Sequence, residues 1–306
     1  MIEKFPVGVA IDGSAASSAA VRWAAVEAAR RGAGLKVIHI CEVNSAYLWA
    51  IPDLPEQLQE LSRPTVAEAV ALARRTVPGI DVSEWTMVGP AVRMLLLASE
   101  YADLIVLGRT GRAALAAHLV GSTTYRMAAH SHCPIVAVPA PSTDEAGPRE
   151  PRRVIVGIAD RPTRGHAIDF AITEADRHDA NLLAVRAWNG LGGPGSEPAL
   201  RESEELDQLN QMLATHLARR SPDLPAATLL RAGAPATVLS GLCRPDDLLV
   251  LGQHRHAQFV PPVIRKVVAD CLHQAACPVA VVPEPAITAE EQERPRVSEA
   301  TGLISY

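Results

Sequence analysis

Residues 101–123 read YADLIVLGRTGRAALAAHLVGST, and residues 245–267 read PDDLLVLGQHRHAQFVPPVIRKV. In each, a short apolar run ends in glycine, as for a parallel strand buried on both faces and followed by a loop. The two frames superpose at an offset of 144, and the agreement extends without a gap over 88–139 and 232–283. HCPIVAVP at 132–139 faces ACPVAVVP at 276–283. Upstream, VAIDGSAASSAAVRWAAVEAARRGAGLKVIHI at 9–40 faces VGIADRPTRGHAIDFAITEADRHDANLLAVRA at 156–187, at an offset of 147. Trp23 falls on Phe170 and Glu27 on Glu174. The chain is an internal duplication.

Each half alternates short Val/Ile/Leu runs with longer helical patterns. Strands are expected near 5–11, 35–41, 81–87, 103–107 and 134–138, with helices near 15–31, 56–76, 90–101 and 121–131. The second half predicts strands near 153–158, 182–187, 227–231, 247–251 and 278–282. Such alternation implies right-handed crossovers, so the expected class is α/β with two tandem, doubly wound, five-stranded parallel-sheet domains. The expected boundaries are 1–140 for the first domain, 141–151 for a Pro- and charge-rich linker and 152–283 for the second domain. The stretch 284–306 reads as a disordered tail, and NGLGGPGSEP at 189–198 as a mobile loop.

Composition narrows the function. The 306 residues carry a formal net charge of -5, which gives no electrostatic reason to bind nucleic acid or an anionic membrane. Aromatic residues make up only 4%, too few to supply base-stacking platforms. No apolar run is long enough to span a bilayer, and the N-terminus reads as a first strand, so a cytoplasmic protein is expected. The five cysteines form no CxxC and no zinc spacing. HSHC at 130–133 reads as the solvated end of a helix before a strand, so no metal site is expected.

In open α/β sheets, ligands bind at the carboxyl ends of strands where the strand order reverses. Three segments converge there in the first half: Ile11–Ser14, His39–Ile40 and the glycine-rich stretch after the fourth strand. Gly108 and Gly111 let backbone amides approach a ligand, and Gly121, Ser122 and Thr123 open a helix whose free amides favour a phosphate. Asp12 would repel phosphate but suits the exocyclic amine of a base. His39 reads as core or cleft wall. No general base, Walker-type lysine or paired acidic metal ligand is apparent, so no catalytic residue is assigned.

The spacing of Gly108, Gly111, Gly121 and Ser122, together with VAIDGS, VIHI and CPIVAVP, resembles the ATP-binding motif of the universal stress protein family. The resemblance covers about 4–140 and 152–283. It implies a tandem member with a Rossmann-like fold, related to the adenine nucleotide alpha hydrolases. It further implies that Asp12 binds adenine, that Ile40 contacts the base through its backbone, and that Ala10 lies close to the nucleotide. Gly108 and Gly111 would line the ribose and phosphates, Gly121, Ser122 and Thr123 would hold the phosphates, and Arg109 and Arg112 would add charge. ATP is the implied ligand, with magnesium or manganese as companion ion. In this family the last strand commonly mediates dimerisation, so PIVAVP and PVAVVP are expected to pair within the chain as a pseudo-dimer, with homodimers also allowed.

The second half departs at most ligand positions: Ala159 replaces Asp12, Arg255 replaces Gly111, Arg265 replaces Gly121 and Lys266 replaces Ser122. Gly252 remains. Either this site has decayed, or Arg255, Arg265 and Lys266 take a different anion. The resulting expectation is an ATP-binding regulatory stress-response protein with an unidentified protein partner. The alternatives are a slow ATPase or adenylyl- or phosphoryl-transfer enzyme of the same fold, or a nucleotide-free structural protein.

Overall fold

The computed structural model describes residues 5–43, 53–109, 122–140, 150–159, 165–188, 198–254 and 266–284. The first half runs β1 (Val7–Ile11), α1 (Ala15–Arg31), β2 (Leu35–Cys41), α2 (Leu54–Thr76), β3 (Val82–Val88), α3 (Ala91–Ala98), β4 (Leu104–Arg109), α4 (Ser122–His130) and β5 (Ile135–Pro139). The second half repeats the order as β6 (Arg153–Gly157), α5 (His166–Arg177), β7 (Asn181–Trp188), α6 (Pro198–Arg220), β8 (Ala226–Ala232), α7 (Pro235–Leu242), β9 (Asp247–His254), α8 (Lys266–Gln274) and β10 (Val279–Glu284).

Local chemistry sets these boundaries. Helix α1 starts where the Ser14 side chain accepts the Ser17 amide at 3.1 Å, and it stops at Gly32, whose φ of 58° is left-handed. Helix α2 starts two residues earlier than expected, with Pro55 in its first turn. Strand β4 runs two residues beyond the expected end, through Gly108 and Arg109. Of the expected linker (141–151), loop (189–198) and tail (284–306), residues 141–149, 189–197 and 285–306 lie outside the described residues.

All strands join one sheet in the order β3-β2-β1-β4-β5-β10-β9-β6-β7-β8. Within each half every pairing is parallel, as expected. The halves meet where β10 runs antiparallel to β5, with Val279 opposite Ala137, Ala280 opposite Val136 and Val281 opposite Ile135. Two five-stranded sheets thus fuse into one mixed sheet of ten strands, along the two segments expected to pair.

Alternate residues of a strand feed opposite layers. Leu104 and Val106 join Val7 and Val9 in the core under α1, α2, α5 and α6. Ile105 and Leu107 join Ile135, Met127 and Cys277 in the core on the other face. This alternation decides where each residue after Leu107 points.

Candidate functional site

Strand β1 lies between β2 and β4, so the chain leaves β1 in one direction and returns on its other side. The pairing of β1 with β4 ends at Ala10 and Leu107, after which the two strands diverge. Asp12 follows on one bank of that opening, and Gly108 stands on the other. A crevice between diverging parallel strands is where this class of sheet takes its ligands.

Asp12 sits in the turn between β1 and α1, held by a short bond. Its Oδ1 accepts the Ser14 amide at 2.9 Å, while the Ser14 hydroxyl caps α1. Gly13, at φ 79°, supplies the left-handed step between them. Partial burial opposes ionisation of Asp12, but the hydrogen bonds from Ser14 outweigh it and hold its carboxyl below the usual value. The carboxylate is therefore ionised at neutral pH and can only accept hydrogen bonds. Ala10 and Ile40 are half-buried and pack against the core on the α3 and α4 face. His39 is tied down as cleft wall, its Nδ1 lying 3.1 Å from the Ile11 carbonyl. Because a carbonyl only accepts, that nitrogen carries the proton.

Helix α4 begins at Ser122, so its free amides open beside the end of β4, and the Thr124 hydroxyl lies 3.5 Å from the Gly108 carbonyl. Thr123 is half-buried in this first turn. Gly111, Arg112 and Gly121 lie outside the described residues, as does the Ser122 side chain.

Two expected roles meet a different geometry. A Cβ on Gly108 would lie 2.4 Å from the Ala16 carbonyl carbon and 2.5 Å from its oxygen. The missing side chain makes room for the first turn of α1, because Gly108 shares the face of Leu104 and Val106. Arg109 takes the opposite face, with Ile105 and Leu107, and its side chain is 2% exposed. Its Nη2 donates to the carbonyls of Ala275 and Cys277 in the other half. The expectation that Arg109 adds charge to a phosphate is corrected accordingly: its guanidinium joins the two halves. Periodicity of two from Ile105 would have shown this, had the strand been extended to residue 109.

The second half differs from the first at the matching positions that are described. Position 12 is matched by Ala159. Helix α5 starts at His166, where the offset to Ala15 would put residue 162, so the helix begins one turn later. Its cap, Gly165, has φ 75° and provides no side-chain hydrogen bond. A Cβ there would lie 2.3 Å from the His216 ring, which is bonded to Asp169 at 2.6 Å. Lys266 is exposed and pairs with Asp270. Arg255 and Arg265 lie outside the described residues.

At HSHC, His132 is largely exposed and held by Ser99, whereas Ser131 and Cys133 are buried. Among the described residues, no helix is long and apolar enough to cross a membrane.

Comparison with known proteins shows the family and the fold. The family model described as the universal stress protein family matches residues 5–139 and again 150–283. A universal stress protein of Mycobacterium tuberculosis is 32% identical over 290 residues, covering 90% of this chain and 96% of that protein. Another, from Mycolicibacterium smegmatis, is 28% identical over 290 residues, covering 91% and 97%. In three dimensions, a universal stress protein from Archaeoglobus fulgidus matches with a TM-score of 0.70 at 15% identity, over 90% of this chain and 98% of that chain.

Proposed function

The chain belongs to the universal stress protein family, and we propose that it holds one adenine nucleotide, ATP, in its first half and serves a regulatory role in stress response. The observation that carries this reading is the Asp12 carboxylate in the turn after β1, together with the start of α4 beside the end of the neighbouring strand β4. A carboxylate selects a donor such as the adenine amine, and a helix N-terminus favours phosphate. Ala10 and Ile40 border the base, while Gly111, Gly121, Ser122 and Thr123 carry the phosphates. Gly108 serves the site by letting α1 close on β4, and Arg109 takes no part in phosphate binding. Magnesium or manganese would enter on the phosphate oxygens.

The second half supports the first as a partner and carries no nucleotide. Its loop has Ala159 at the position of Asp12, with Asp160 one residue on, and Lys266 opens the helix that Ser122 opens in the first half. The first half is proposed to bind without catalysing: His39, at the end of β2, is held by a backbone carbonyl. The proposed domains are those of the sequence, 1–140 and 152–283.

Calorimetric titration with ATP and magnesium tests the reading. A stoichiometry near one per chain is expected, and two or none overturns it. Asp12→Ala is expected to weaken binding on the order of tenfold to a hundredfold, the worth of a hydrogen bond to an ionised acceptor. Gly121→Val is expected to abolish binding while leaving thermal unfolding unchanged. Rapid multiple turnover in an ATP hydrolysis assay would overturn the non-catalytic reading.

A further inference from the structure

Away from the nucleotide crevice, the C-terminal turns of α1 and α5 meet across the junction of the two halves. They bring Glu27 and Arg31 against their repeat counterparts Glu174 and His178, and all four are buried. Arg31 donates from Nε to Glu27 Oε1 at 2.6 Å and from Nη2 to Glu174 Oε1 at 2.7 Å. Arg177 also donates to Glu174 Oε1. The remaining oxygens turn towards each other and towards His178, whose Nε2 lies 2.9 Å from Glu27 Oε2 and 3.8 Å from Glu174 Oε2. Glu174 Oε2 is fully buried and has no hydrogen-bond partner.

Two adjacent ionised carboxylates are costly in such a place, and an unpaired carboxylate oxygen is costly again. One proton removes both penalties, because a protonated Glu174 Oε2 becomes a donor that faces the Glu27 carboxylate. We propose that Glu27 and Glu174 form a proton-binding site at which one shared proton clamps α1 to α5, and that its release in alkaline solution loosens the junction between the halves. Burial, and then the charge of Glu27, push the Glu174 carboxyl up to about 8. Burial acts on Glu27 in the same sense, but the His178 bond and the Arg31 charge outweigh it and hold Glu27 low.

The surrounding charges fit a site that holds a single proton. From α1 come Arg31 and Arg30, the latter bonded to the Arg177 carbonyl and to Glu150. From α5 come Arg177 and His178, and from the turn before β4 comes Asp103, 3.1 Å from Arg31. Glu174 also lines an adjoining cavity of about 520 Å³, together with His132, His166, Asp169 and Arg220. Asp169 is already paired with His216 and Arg220. The acceptor atoms of Glu27, Glu174 and His178 lie within 4.8 Å of one another, close enough for a metal ion. Two guanidinium groups already on these carboxylates make a proton the better occupant.

Between the ordinary glutamate value of 4.5 and about 8, the folded chain holds a proton that the unfolded chain has released. Stability therefore falls as pH rises through that window and levels off above it. Glu174→Gln presents an amide donor to Glu27 at every pH. The denaturant midpoint of the full chain is expected to fall from about pH 6 to about pH 9, less steeply in Glu174→Gln, which becomes the more stable form at the alkaline end. Infrared difference spectra of the wild type over the same range are expected to lose one protonated-carboxyl band, which Glu174→Gln lacks at all pH values. Parallel stability profiles, or no protonated-carboxyl band at about pH 6, would overturn the proposal. So would loss of that band on adding zinc chloride at about pH 6, which would make a cation the occupant. The infrared test on the wild type stands even if the variant folds poorly.

Discussion

Gly108 and Arg109 show how one residue step along a strand separates two roles. Read as letters, both belong to a glycine-rich loop beside a ligand. On the strand, Gly108 faces the α1 backbone and Arg109 faces the second half. Gly108→Ala is expected to cost about 2 kcal/mol through overpacking against Ala16, measured as a shift in denaturant midpoint. Gly252 occupies the equivalent position of β9, and it is the glycine of this motif that both repeats keep. The turn around Asp12 was legible because its hydrogen-bond partner, Ser14, lies two residues away. Arg109 was not, because its partners lie 166 and 168 residues downstream.

Helix α1 was legible end to end, because the signals that bound it are local: the Ser14 cap and left-handed Gly32. Ser14→Ala is expected to cost about 1 kcal/mol, the usual worth of an N-cap, and to weaken ATP binding by fraying the turn that holds Asp12. Denaturation in the presence and absence of nucleotide separates the two effects. Helix α5 was less legible, since its late start reflects the packing of Gly165 against His216 on α6. The contact between β4 and the turn before β10 rests on Arg109 and two carbonyls. Arg109→Met keeps the apolar bulk and removes both bonds, so a loss of about 1.5–3 kcal/mol is expected, with amide exchange rising first around Ala275 and Cys277.

For the whole molecule, the repeat announced two lobes, and the family resemblance implied that their last strands would meet. The charged junction between α1 and α5 was not legible: Glu27 and Glu174 matched as letters, and only folding shows that they touch. With one sheet running through both halves, thermal unfolding is expected to be a single calorimetric transition. ATP at a hundred times its dissociation constant should stabilise the chain by about 2.7 kcal/mol and shift that transition as a unit. Two separate transitions, with only one moved by nucleotide, would show that the seam does not couple the lobes.

The antiparallel seam between β5 and β10 has a consequence for how the protein behaves when scarce. Lobes on separate chains would part on dilution, and any property of the pair would then track expression level. Here a short stretch of chain between Ala140 and Glu150 joins them, so each lobe meets its neighbour at the high effective concentration of a tether. The assembled state is then the same at one copy per cell as at a thousand, and no unlike lobe can be exchanged in.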